Sequence, residues 1–242
     1  MQEDPHALNP HLSADCVIFG FNGTQLKVLL IERTTESGRD YKLPGDFIYD
    51  TEDTGHAAHR ILHELTGLKD LYLQQFAVFG SPHRVAGVKN LAWFRATTGL
   101  DIYRVVTTAY FSLVRLERSN KKNALLAGAS WHPADQLPAL AFDHREIIYE
   151  GLRALRREIR FQPIGFELLP GKFTIRQIQN LYEAILGHPL DNRNFRKKLL
   201  KAPYVEPLEE KEQGVAHKPA RYYRFDREKY EHNLSESNEY NF

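Results

Sequence analysis

Cysteine is nearly absent. Cys16 is the only one in 242 residues, so no disulfide can form within the chain, and a reducing compartment is expected. It stands in an apolar run, which marks a buried structural thiol rather than a nucleophile. No stretch approaches the ~18 apolar residues of a membrane-spanning helix. The acidic start MQEDP also lacks the basic region and apolar core of a secretory signal. A soluble, cytoplasmic protein without a membrane partner is therefore expected. Neither sign of charge dominates: 32 Lys+Arg against 31 Asp+Glu give a formal net charge of +1. That balance excludes a polyanion partner held by bulk charge and leaves only a local basic patch. The length is ample for a buried core and favours two domains.

The first part of the chain is rich in strand signals. DCVIFGF and QLKVLLIER are β-branched and aromatic runs on either side of Asn22-Gly23, which predicts a hairpin. LYLQQFAVF (71–79), NLAWFRA (90–96) and RVVTTAYFSLVRL (104–116) read as further strands. Strands mixed with helices predict an α+β sandwich. Residues 144–160 read as a helix with Ile148, Leu152, Leu155 and Ile159 on one face, closing a first domain over 1–160.

Pro163 and Pro170-Gly171 mark a boundary, and residues 161–228 have a different character. Thr174 opens a helix with capping-box spacing to Gln177, and Ile175, Ile178, Leu181, Tyr182 and Ile185 form its apolar face. Gly187 and Pro189 end it. Asp191 then caps a second helix, NRNFRKKLLKA, giving the order of a helix-turn-helix. Phe195, Leu199 and Ala202 fall on one side of this second helix. Arg193, Asn194, Lys197 and Lys201 fall on the other, with Arg196 and Lys198 on the flanks. Arginine and asparagine can bond guanine and adenine edges in the major groove while lysines neutralise phosphates, so these residues are candidate contacts to double-stranded DNA. YVEPLEE and ARYYRF predict a β-wing around a turn at 214–219, which adds Lys218, Arg221 and Arg224 as backbone contacts. Glu206, Glu209, Glu210 and Glu212 confine any such contact to the wing's tip. The polar end, 229–242, is expected to be disordered.

Residues 42–68, KLPGDFIYDTEDTGHAAHRILHELTGL, carry the most informative pattern. They resemble the Nudix box of diphosphate hydrolases, G-x5-E-x7-R-E-U-x-E-E-x-G-U with U aliphatic. Gly45, Glu52, Arg60, Leu62, Glu64, Gly67 and Leu68 fill their slots, with one extra residue between Gly45 and Glu52. Ile61 and Leu65 stand where the resemblance implies glutamates that hold magnesium. Positions 61, 64 and 65 project within roughly a third of a turn of one another, so carboxylates there would converge on a cation. Aliphatic side chains offer no oxygen ligand. Ala57, Ala58, Ile61, Leu62 and Leu65 instead form an apolar stripe for burial, and no catalytic residue, metal or cofactor is expected. His59 and His63 have the spacing of a zinc pair, yet with His56 they read as a solvated face without a third ligand. Arg60 and Glu64 are spaced for an ion pair.

Both halves together are similar to the Nudix-related transcriptional regulators, a hydrolase-derived sensor domain fused to a winged helix. The resemblance runs through DCVIFGF, LPGDF, AFDHREII, PIGFELLPGKFT, LDNRNFRKKLL and KPARYYRFD. It implies a Nudix-type α/β/α sandwich followed by a winged helix-turn-helix, and a homodimer on a palindromic operator. It also implies a small effector that controls operator binding: ADP-ribose in branches governing NAD metabolism, or a sugar such as L-arabinose in branches governing pentose use. Asp46 replaces a usual second glycine, and 81–106 carries extra residues between Arg84 and Arg104; an anion at the phosphate end of the pocket and no metal cluster favour the pentose. By analogy with where the box places substrate, Arg33, Lys42, Asp46 and Glu64 are the candidate effector-binding residues, with Trp93 and Trp131 as candidate stacking surfaces. A magnesium-dependent hydrolase, or a winged helix that contacts only protein, are the alternatives.

Overall fold

A computed structural model of the chain describes residues 7–36, 38–116, 125–126, 128–161, 164–216 and 218–238. They form two compact units, Met1–Phe161 and Gln162–Phe242.

The first unit is built on β1 (Leu8–Phe21), a 14-residue strand. From Cys16 to Phe21 it carries no charged or polar side chain, because both faces of the sheet are covered there. Antiparallel β2 (Leu26–Thr35) folds back across the Asn22-Gly23 turn, where Gly23 takes φ 100° and the Asn22 side chain accepts the Gln25 N–H. β2 continues into β3 (Gly38–Lys42), and β4 (Gly45–Tyr49) returns to the first half of β1. After helix α1 (Thr54–Thr66) come β5 (Gln74–Phe79), helix α2 (Val88–Thr98), β6 (Val106–Arg115), β7 (Ala129–Pro133) and helix α3 (His144–Phe161). The seven strands make one sheet in the order β3-β2-β1-β6-β5, with β4 on β1 and β7 on β2; only β1 and β6 run parallel.

Side-chain alternation along β1 separates the two layers. Ala14, Cys16 and Ile18 pack with Ala57, Ala58, Ile61 and Leu62 of α1, whereas Val17 meets Gly151 of α3 on the opposite face. Asp53 caps the start of α1 by accepting the His56 N–H, and left-handed Gly67 ends it. This is the expected α/β/α sandwich.

One expected strand is a helix. Residues 90–96 lie inside α2, which starts after Gly87 and is closed by left-handed Gly99. Seven residues are too few for periodicity to separate strand from helix, and tertiary packing decides. Phe94 enters a cluster with Phe47, Val85, Ile102 and Val105, and Thr98 bonds back to the Phe94 carbonyl.

In the second unit a 3-10 turn (Ile164–Leu168) leads to α4 (Ile175–Leu186) and α5 (Asn192–Leu199). Thr174 and Gln177 form a complete capping box, Gly187 is left-handed, and Asp191 accepts the Asn194 N–H. The hairpin of β8 (Val205–Lys211) and β9 (Arg221–Phe225) follows, with Phe173 bridging Tyr223 as a third short strand. α5 is shorter than expected, because Pro203 cannot continue a helix and disfavours it in the residue before. Lys201 therefore lies in the turn beyond α5, off the expected helix face. Nor is the chain irregular from 229: Asp226 accepts the Lys229 N–H to open helix α6 (Arg227–Asn238). Tyr230 packs edge-on to Tyr204 and against Phe225, an aromatic contact that a polar composition conceals. Residues 239–242 lie outside the described residues.

β4 brings Gly45 opposite Asp15, so close that a Cβ at 45 would lie 1.8 Å from the Asp15 carboxylate. Gly45→Ala is expected to lower stability by about 1–3 kcal/mol through overpacking. Gly171→Ala, where nothing lies within 4 Å, should be near neutral in the same urea titration.

Candidate functional site

A cavity of about 310 Å³ opens in the first unit at the junction of β1, β4 and α2. One wall is aromatic and apolar: Phe47, Val85, Trp93, Phe94, Val105 and Phe142. The other carries charge. Arg84 donates through Nε and Nη2 to both oxygens of Asp143, each at 2.9 Å, and through Nη2 to Asp15 at 3.2 Å. His144 sits 3.6 Å from Asp15, and its Nδ1 accepts the Leu43 N–H at 2.8 Å. Nε2 therefore carries the proton. Burial opposes the charge on Asp15, yet His144 and Arg84 hold its carboxyl below the ordinary value. Burial pushes the His144 imidazole down to about 4, against the pull of Asp15. The site thus combines a neutral imidazole with a guanidinium clasped by two carboxylates, under an aromatic lid.

The four expected effector residues do not stay together. Lys42 and Asp46 line the cavity, where the Lys42 ammonium donates to the Gly45 carbonyl at 2.6 Å. Burial lowers the Lys42 pKa, and Asp46 counters it. Arg33 lies behind the wall. Its side chain is buried, bonded to both Asp40 oxygens at 2.7 and 2.8 Å and to Asn90 at 3.1 Å, and its guanidinium sits 4.9 Å from the Phe142 ring centroid. Lys89 joins the same Asp40, so this cluster pins the start of α2 to the β2–β3 hairpin. Glu64 lies outside the cavity, its side chain 52% exposed and bonded to Arg60. Trp93 faces the cavity, whereas Trp131 on β7 packs against the α1 core. Sequence reading missed Asp15, Arg84, Phe142, Asp143 and His144. Asp15 left one signal, a carboxylate opening an otherwise buried strand. Phe142 is also strained, with a left-handed backbone at φ 52° and its ring stacked on Phe94 at 5.2 Å.

At the Nudix box itself the residues do not fit a magnesium ion. Arg60 clasps Glu52 at 2.5 and 2.8 Å and Glu64 at 3.0 Å, while Ile61 is fully buried in the core. Leu65 is half-buried and faces the cavity. His59 and His63 are exposed, and among the described residues no group of three His, Cys, Asp or Glu is placed to hold a metal.

In the second unit, Phe195 of α5 packs edge-on to Tyr182 of α4, which turns Arg193, Asn194 and Lys197 outward as exposed side chains. Arg196 faces a concavity shared with Lys218 and Arg221, and Asn194 and Lys198 border one on the other flank. Arg221 is bonded to Glu209 at 2.5 Å, and Arg224 to Glu206 at 2.6 Å. Those two wing arginines, expected to grip a nucleic-acid backbone, are held by carboxylates of the facing strand.

A sensor-type cavity and an exposed basic helix define a regulator with separate ligand and DNA domains, and comparison with known proteins agrees. Residues 9–155 match the NUDIX domain family, and residues 165–225 match the NrtR DNA-binding winged helix domain. The chain belongs to the NrtR-type transcription regulators, in which a Nudix domain precedes a winged helix. It is 30% identical over 237 residues to the ADPR responsive transcriptional repressor NtrR of Acinetobacter baylyi, covering 96% of this chain and 88% of that one. It is 25% identical to Shewanella oneidensis NrtR crystallised with a 27mer DNA, with TM-score 0.69 over 90% of this chain and 94% of the other. The same Shewanella protein crystallised in another structure gives 27% identity and TM-score 0.66, over 88% and 93%. No helix among the described residues is long and apolar enough to cross a membrane.

His144 makes a pH test. Its folded pKa of about 4 lies below the ordinary imidazole value of 6.5, so the unfolded chain binds the extra proton between these values. Stability from this group is complete above pH 6.5 and lost as pH falls towards 4, a change of about 3 kcal/mol. Urea titrations from pH 7 to 4 should show it, and His144→Gln should flatten that portion of the profile.

Proposed function

We propose that this protein is a transcriptional repressor that binds operator DNA through its winged helix and releases it when ADP-ribose occupies the Nudix cavity. The observation that carries this reading is the likeness to an ADPR responsive repressor across 96% of the chain, both domains included. It displaces the pentose, expected from Asp46 and from the missing metal cluster. The Asp46 carboxylate accepts the Phe47 N–H and interacts with the Lys42 ammonium, so it is not an isolated anion facing a phosphate. The aromatic wall suits a planar base better than a small polyol.

On this reading Arg193, Asn194 and Lys197 face the major groove, with Arg196, Lys198, Lys201 and Lys218 around them. Arg221 contributes less, since Glu209 already holds it. A homodimer on a palindromic operator in the cytoplasm fits a two-fold site. Burial of Ile61 and the Arg60 clasp on Glu52 and Glu64 support a sensor that does not hydrolyse its ligand.

Fluorescence anisotropy with promoter DNA and random duplex tests the reading. The wild type should prefer promoter DNA, and ADP-ribose but not L-arabinose should raise the dissociation constant. Arg193→Ala should erode discrimination by about 1–3 kcal/mol at the base it reads. Promoter binding indifferent to ADP-ribose, or magnesium-dependent consumption of ADP-ribose, would sink the proposal.

A further inference from the structure

Ion pairing sorts the cations of the second unit into two sets. Arg221, Arg224 and Lys172 are each bonded to a carboxylate: Glu209, Glu206 and Glu210. Arg176, Arg196 and Lys218 are exposed, and no ion pair or side-chain hydrogen bond joins them to any described residue. Glu183, kept ionised chiefly by the Leu190 N–H, feels Arg176 only through space. These three cations come from three elements, the first turn of α4, one flank of α5 and the loop joining the two wing strands, yet they line a single concavity of about 480 Å³. Arg221, already paired with Glu209, lines it too, and no carboxylate is itself among the lining residues.

Bringing like charges together without a counter-ion is unfavourable unless an anion completes the site. The concavity lies beside the exposed face of α5, and the start of α4 adds its positive helix end. Arg196 lies one turn on from Asn192 on the flank that borders the concavity, away from the direction of Arg193 and Lys197.

We infer that this concavity seats one backbone phosphate of the bound DNA, with Arg176, on the first helix of the pair, as a phosphate-binding residue. The inference rests on the reading of the chain as an operator-binding protein and assigns roles within it. Arg176, Arg196 and Lys218 fix register on the duplex, and Arg193 and Asn194 are left to read bases.

The test uses the full chain, an operator duplex selected from a randomised pool, and a random duplex of equal length, titrated from 50 to 200 mM salt. Arg176→Ala should reduce the slope of log affinity against log salt by about one per bound protomer. The affinity gap between wild type and variant should then narrow roughly threefold for each bound protomer across that range, equally on both duplexes. Arg176→Lys should recover the slope, and Lys172→Ala, removing a cation already paired outside the concavity, should leave it unchanged. An unaltered slope in Arg176→Ala, or a loss confined to the operator, would overturn the inference while leaving operator binding intact. Arg176-dependent binding of inorganic pyrophosphate without DNA would overturn it in favour of a small-anion site. A wild type that binds neither duplex removes the functional reading and this inference together.

Discussion

The first unit depends on one buried guanidinium. The Arg84 side chain is only 3% exposed, and a charge so far from water persists only when paired and hydrogen-bonded. Asp143 supplies two bonds and Asp15 a third, so the segment before α2, the residue just before α3 and the central strand are tied at one point. Gly45 has no side chain because that space belongs to the Asp15 carboxylate. His144 stays neutral because Leu43 occupies its Nδ1 and burial disfavours a second proton. The cavity inherits its shape from these pairings, and its polar floor is already assembled without a ligand.

Helix α1 serves the first unit as scaffold through its apolar face. Its apolar stripe was legible from spacing alone, as were the hairpin at Asn22-Gly23 and the capping box of α4, because each is a local signal a few residues long. Helix α2 was not legible. Its aromatic residues suit a strand as well as a helix, and the choice is made by Phe47, Val85 and Phe142, distant in sequence. The same limit hides that Arg33 and Glu64, two of the candidate ligand contacts, do not line the cavity. Both are ionisable and near the box, but Asp40 and Arg60 claim them.

In the second unit, periodicity distinguished the basic face of α5 from its apolar side, and the structure keeps that division up to Leu199. What spacing cannot reveal is whether an arginine is already spent. Arg221 and Arg196 look alike in sequence, yet a glutamate on β8 holds the first and no described residue holds the second. Cross-strand pairing settles the matter, and it depends on hairpin register.

Phe142 sits uphill. A phenylalanine held left-handed lies roughly 1–3 kcal/mol above a relaxed backbone. It stays there because the Phe94 ring stacks on it and the Arg33 guanidinium lies close by. The next two residues are Asp143 and His144, which grip Arg84 and Leu43. Shortening the segment between Arg84 and Arg104 would therefore do more than unroof the pocket: it would free a twisted peptide at the root of α3 and slacken the knot at Arg84.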